Sequence, residues 1–181
     1  MTEDQRLVQL LRERSVRTGH FVLASGKTSD LYVDVRATSL DSEGCWLIGR
    51  VLLARLRSDV VGVGGLTLGA DPLACATAAL AWGSGRPIHA FLIRKESKGH
   101  GTNQYVEGLT SLPPGSRVAV VEDTTTTGGS LLRAIGRARD AGLDVVQTIT
   151  LVDREEGARE ALADAGFTLE AFTTRSALVG P

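Results

Sequence analysis

The stretch Val118–Ser130, which reads Val-Ala-Val-Val-Glu-Asp-Thr-Thr-Thr-Thr-Gly-Gly-Ser, limits the fold more than any other part of the chain. Val118 to Val121 form a short apolar run rich in β-branched residues, the pattern of a strand buried on both faces. Two acids, Glu122 and Asp123, follow at once. Four threonines and two glycines come next, and a helical pattern begins at Ser130. In a parallel sheet such a loop sits at the carboxyl end of its strand, where ligands bind. Its backbone N–H groups and the following helix N-terminus make an anion cradle. A phosphate fits the loop, and the two carboxylates suit a hydroxyl pair or a metal ion on the same ligand.

The rest of the chain supports an α/β reading. An amphipathic helix is expected over Thr2–Arg17, carried by Leu7, Leu10 and Leu11 and stopped by Gly19. Two short strands, Phe21–Ala24 and Leu31–Val35, flank a turn. From residue 40 onward strands alternate with helices, which predicts a parallel sheet flanked by helices with right-handed crossovers. The helix Ser39–Arg57 has Asp41 or Ser42 as its N-cap and is expected to bury Trp46, Leu47, Val51, Leu52 and Leu53. A strand at Val60–Val63, a Gly64–Pro72 loop, a helix at Leu73–Trp82 and a strand at Pro87–Ile93 follow. Arg94–Gly108 is polar, cationic and without period, which by itself fits a lid or binding loop and equally a solvated surface loop. After the central motif come a helix to Asp140, a strand Val145–Val152, a helix Ala158–Ala165 and a strand Phe167–Phe172. Three strand ends, Gly64–Asp71, Glu122–Ser130 and Asp153–Arg154, should converge on one crevice.

Formal net charge is −1, so no global field favours nucleic acid or a membrane, and any anion site must be local. No apolar run approaches the length of a membrane span. The polar Met1–Arg6 is not a signal peptide, so a cytoplasmic protein is expected. Cys45 and Cys75 read as reduced core residues, and His20, His89 and His100 show no ligand spacing. Two near-motifs fail. Gly26-Lys27-Thr28 lacks the P-loop glycine five positions earlier, where Phe21 stands. The Gly64-Gly65 loop has Thr67 where a dinucleotide fingerprint needs its third glycine.

The central stretch resembles the ribose-phosphate signature of the type I phosphoribosyltransferases. Arg94-Lys95-x-x-Lys98-x-His100-Gly101 resembles the catalytic loop of the orotate phosphoribosyltransferases in particular. Phe21–Gly26, with Tyr32 and Asp34, is similar to their N-terminal hood over the base, and Gly64–Pro72 to their pyrophosphate loop. The resemblance runs from Phe21 to Gly157. It implies one phosphoribosyltransferase domain, with a helix and hood over 1–38 and an α/β core over 39–181.

The implied reaction is transfer of the phosphoribosyl group of phosphoribosyl pyrophosphate (PRPP) to orotate. The products are orotidine 5′-monophosphate and pyrophosphate, in pyrimidine synthesis. By this resemblance Thr124, Thr125, Thr126, Thr127, Gly128, Gly129 and Ser130 hold the 5′-phosphate. Glu122 and Asp123 orient the ribose hydroxyls and favour the developing cation. Arg94, Lys95, Lys98 and His100 meet the pyrophosphate, with Mg²⁺ carried mainly by PRPP and no metal ligand set on the protein. Lys98, His100, Glu122 and Asp123 are the implied catalytic residues, and Thr126 and Arg154 the implied orotate contacts. Relatives use the loop across a two-fold axis, so a homodimer sharing residues 94–108 between subunits is expected. Ala24 stands where many relatives carry a lysine. Lys27 is displaced from that position and reads equally as an ordinary turn residue. Two other readings compete: transfer to another base, opposed by the cationic loop and Arg154, and a PRPP-sensing regulator. No helix-turn-helix or basic face precedes the core to support the second.

Overall fold

A computed structural model describes residues 1–22, 28–97 and 105–179. Its centre is a six-stranded sheet in the order β5-β4-β3-β6-β7-β8. The strands are β3 (Gly62–Leu66), β4 (His89–Ile93), β5 (Val106–Glu107), β6 (Arg117–Thr125), β7 (Asp144–Asp153) and β8 (Leu169–Thr174). Five run parallel, and the edge strand β5 is antiparallel to β4. The sheet is therefore mixed, not wholly parallel as its periodicity implied. The last part of the aperiodic loop returns as strand, with Leu92 opposite Glu107 and Ile93 opposite Val106.

Side-chain alternation on β6 divides the core in two. Ala119 and Val121 pack among Leu7, Leu10, Ile48, Leu52 and Leu73, which belong to helices α1 (Glu3–Leu10), α3 (Ser42–Arg55) and α4 (Ala70–Gly83). Val118 and Val120 pack on the other side with Leu131, Ile135 and Leu162 of α5 (Gly129–Asp140) and α6 (Ala158–Asp164). The helix joining β3 to β4 and the helices that follow β6 thus lie on opposite faces. The chain reverses its direction across the sheet between β3 and β6, and the loops leaving these two strands open a crevice at that point.

The N-terminal region differs from the periodic reading. The helix is shorter: α1 ends at Leu10, a π-helical turn runs Leu11–Ser15, and strand β1 (Val16–Val22) starts directly. Gly19 does not stop a helix. It lies within β1, where the pairing with β2 (Thr28–Val33) shifts register. The β1–β2 hairpin forms a separate two-stranded sheet, and α2 (Arg36–Ser39) leads from it into α3. Ala24 and Lys27 lie outside the described residues. Asp41 is the N-cap of α3, accepting from the N–H groups of Glu43 and Gly44. The buried hydroxyls of Ser15 and Thr38 meet at 2.6 Å and tie the start of the hairpin to α2.

Three further expectations are corrected. Trp46 is 49% exposed and stacks under Arg50, because its position on α3 turns away from the Leu47, Ile48, Val51 stripe. Cys75 is exposed on α4, and Cys45 is only half-buried. Arg175–Val179 is a last short helix, α7, that buries Leu178. Among the described residues no helix is long and apolar enough to cross a membrane.

Ile149 on β7 is 1% exposed and belongs to the same core as Ala119 and Val121. Ile149→Ala should cost about 2–5 kcal/mol through lost burial and a residual cavity. Urea unfolding measures this, and a loss below about 1 kcal/mol would contradict the described packing.

Candidate active site

The crevice divides into two adjoining hollows. The larger, of ≈ 240 Å³, lies between the hairpin end, the loop after β3 and the end of β6. Tyr32–Arg36, Leu66–Gly69, Lys95, Glu122, Asp123, Thr124 and Ser130 line it. The smaller, of ≈ 180 Å³, is walled by Thr124–Leu131 with Glu122 and Arg133. Glu122, Thr124 and Ser130 belong to both, so one ligand can span them.

Strand geometry aims the acids. Glu122 and Asp123 are still on β6, which runs on to Thr125, and do not belong to the loop beyond it. Successive side chains on a strand point to opposite faces. Asp123 follows Val121 toward α4, where a Cβ on Gly69 would meet its Oδ1 at 2.5 Å. A side chain at position 69 would have to displace this carboxylate from its place beside the N-terminus of α4. Glu122 follows Val120 toward α5, where the threonine loop begins. The loop ends at Gly128, whose φ of 80° is the left-handed region and which caps α5. The Thr124 and Thr125 hydroxyls are buried without partners, so the wall of the small hollow holds unused hydrogen-bonding groups.

Burial controls the charge of both acids. Glu122 is 7% exposed and its Oε2 has no hydrogen-bond partner. Loss of hydration, and then the neighbouring Asp123, push its pKa up to about 8, while Lys95 and Arg133 pull the other way. Asp123 is also raised by burial, opposed by the Thr124 N–H that donates to it at 2.8 Å and by Arg36. Arg36 is itself held by Asp34 at 2.8 Å, and this pair keeps the Asp34 carboxyl below its usual range.

The structure brings together Lys95, Glu122, Asp123, Thr124, Thr125, Thr126, Thr127, Gly128, Gly129 and Ser130. Arg94 stands behind them, paired with Glu107 at 3.3 Å and lining neither hollow. Lys98 and His100 lie outside the described residues. Arg154 also lines neither hollow. Its guanidinium pairs with Glu156 at 2.7 Å, and its Nε is buried without a partner. The third strand end thus stands apart from the other two. Its Asp153 is fully buried, accepting from Arg159 at 2.8 Å and from the N–H of Glu155.

Two lining residues escaped sequence reasoning, Arg36 and Arg133. Arg36 follows the hairpin with no period to mark it. Arg133 lies three residues after Ser130, to whose hydroxyl it donates at 3.0 Å. That i, i+3 spacing at a helix start is a usable signal.

The raised Glu122 pKa has a stability consequence of definite sign. Between about pH 4.5, its unperturbed value, and about pH 8, the folded protein binds a proton that the unfolded chain has lost. The stabilising contribution is complete below that window and gone above it. Glu122→Gln should therefore gain stability relative to the parent as pH rises from about 5 to about 8.5. Urea unfolding at several pH values tests this, and a pH-independent difference would contradict burial of the carboxyl.

Residues 58–179 match the model of the phosphoribosyl transferase domain. An orotate phosphoribosyltransferase of Nostoc sp. is 44% identical over 170 residues, covering 94% of this chain and 82% of its own length. The crystal structure of Mycobacterium tuberculosis H37Rv orotate phosphoribosyltransferase in complex with Fe(III) dicitrate superposes with a TM-score of 0.85 at 42% identity. It covers 98% of this chain and 99% of its own. The same enzyme in complex with PRPP gives 0.79 at 39% identity, again over 98% and 99%. A parallel-sheet crevice with an acid pair and a threonine-glycine loop, at this level of identity over nearly the whole length, has one reading: the chain belongs to the orotate phosphoribosyltransferases of the phosphoribosyl transferase family.

Proposed function

We propose that the two hollows hold PRPP in one orientation while its phosphoribosyl group passes to orotate, in pyrimidine synthesis. The single observation that carries this is Glu122, buried at the junction and lining both hollows. The 5′-phosphate occupies the Thr124–Ser130 loop, where backbone N–H groups, the start of α5 and the free threonine hydroxyls meet it. The ribose lies against Glu122 and Asp123. The pyrophosphate extends toward Leu66–Gly69 and Lys95. Relatives supply the frame for this reading, one of them solved with PRPP.

The C1′–O bond breaks as positive charge grows on the ribose, much as in glycoside chemistry. A carboxylate in a poorly hydrated site favours that charge strongly, and the growing positive charge in turn favours loss of the proton that burial leaves on Glu122. Lys95 offsets the charge of the departing pyrophosphate, with Arg94, Lys98 and His100 assigned to the same task by their spacing. Among the described residues no cluster of three or more His, Cys, Asp or Glu side chains could hold a metal ion. Two carboxylates facing the cleft still suit Mg²⁺ that keeps most of its coordination to PRPP oxygens and water. Bound that way, it supplies neutralisation of the pyrophosphate. Orotate enters against Thr126 and the hood residues Tyr32–Arg36. Its carboxylate takes Arg154 from Glu156, a charge-assisted exchange of one carboxylate for another. The segment 94–108 is read as shared across a homodimer. Cytoplasmic location fits substrates too charged to leave the compartment that makes them.

The test is a panel of bases with PRPP and Mg²⁺, following pyrophosphate release. Orotate should react, while uracil, adenine and hypoxanthine should not; turnover with a purine and none with orotate would sink the assignment. Asp123→Asn should lower kcat while the fold survives. Arg154→Ala should raise the orotate KM roughly ten- to a hundred-fold, since a hydrogen bond to a charged group is worth ~1.5–3 kcal/mol. For the shared loop, Asp123→Asn and Lys95→Ala subunits are refolded together. Roughly a quarter of all sites should regain activity, by dimer symmetry. Activity no higher than the mean of the two variants, with mixed dimers confirmed by mass, would show that each subunit completes its own site.

A further inference from the structure

Arg137 lies on α5, two turns beyond the phosphate loop, and lines neither hollow. It nevertheless makes three contacts with one small region. Its Nη1 donates to the carbonyl of Arg94 at 2.5 Å, and its Nη2 to the carbonyl of Lys95 at 3.2 Å. Its guanidinium carbon sits 4.1 Å from the ring centroid of Tyr105. The Arg94 N–H in turn donates to the carbonyl of Tyr105 at 2.8 Å, so the same guanidinium touches both sides of this neck.

These contacts have a clear physical purpose. Arg94 and Lys95 leave the carboxyl end of β4, beyond the last β4–β5 pair at Ile93 and Val106. Their carbonyls have run out of sheet partners there. A planar fork can satisfy two successive carbonyls at once, which an ammonium cannot do in the same geometry. Stacking on Tyr105 holds the fork flat, and the cation–ring attraction adds to it. The surface Arg94–Glu107 pair contributes little by comparison. Lys95 is exposed and lines the larger hollow. Its backbone therefore decides where the ammonium can reach.

We propose that Arg137 is a positioning residue for Lys95, fixing the backbone of the pyrophosphate-side cation to the helix that begins at the phosphate loop. α5 thereby ties the phosphate loop of its own subunit to the Lys95 that the shared segment carries. The inference rests on the reading of Lys95 as a PRPP contact.

The test is a double-mutant cycle between Arg137→Lys and Lys95→Ala, with kcat/KM for PRPP, KM for orotate and thermal unfolding all measured. Arg137→Lys keeps the charge and removes the fork. It should lower kcat/KM for PRPP at least about ten-fold with the orotate KM unchanged, and the same change in a Lys95→Ala background should cost almost nothing. Tyr105→Leu removes only the ring. It should give a smaller loss of the same kind, again absent without Lys95, and it serves if Arg137→Lys folds poorly. Equal losses with and without Lys95 would overturn the positioning role and leave the active-site reading standing. Parent-like PRPP kinetics in Lys95→Ala would overturn the Lys95 assignment and this inference with it.

Discussion

Strand β6 is paired on both edges, by β3 and β7, and its apolar residues are buried on both faces. A strand so enclosed cannot rotate or slip by one residue without moving each valine into the wrong core. The two acids continue its alternation beyond the core. Their directions are consequences of packing around Val118–Val121. This is why two carboxylates adjacent in sequence serve two different walls: Asp123 faces the hairpin and α4, and Glu122 faces the threonine loop.

Holding carboxylates in such a place opposes folding. Both have raised pKa values because burial removes their water, and Glu122 has an oxygen with no hydrogen-bond partner. Buried polar groups left this way are costly in a purely structural role. They make sense where a ligand with hydroxyl groups and developing positive charge completes the site. Gly69 belongs to the same design, since a larger residue would push Asp123 from its position. Arg36 and Asp34 extend the polar rim onto the hairpin, so the larger hollow exists only because the N-terminal segment folds over the sheet.

The cations are treated differently from the acids. Lys95 stays exposed, while guanidinium groups are committed to fixed partners: Arg36 to Asp34, Arg137 to backbone carbonyls and Arg154 to Glu156. Arginine suits such roles because its planar fork loses little freedom per hydrogen bond formed. The exposed point charge and the fixed forks divide the work of contact and alignment around one crevice.

The sequence by itself determined whatever depends on local period and local chemistry. The β-branched run at Val118, the acids after it and the threonine-glycine loop specify strand, ligand groups and helix start within thirteen consecutive residues. Alternating strands and helices specify the α/β class, and the Asp41 cap is an i, i+3 relation that can be read directly. Tertiary structure alone decided what depends on partners distant in the chain. β5 is too short for any period to show and exists only through β4. Trp46 sits on the solvent side because α1 and α4 cover other parts of α3. Arg154 meets Glu156 and not the hollows, Arg36 enters the site through the hairpin, and Arg137 reaches across 43 residues to the carbonyl of Arg94. Hydrophobic periodicity records which face of an element is buried; it holds no record of which distant group an arginine side chain will find there.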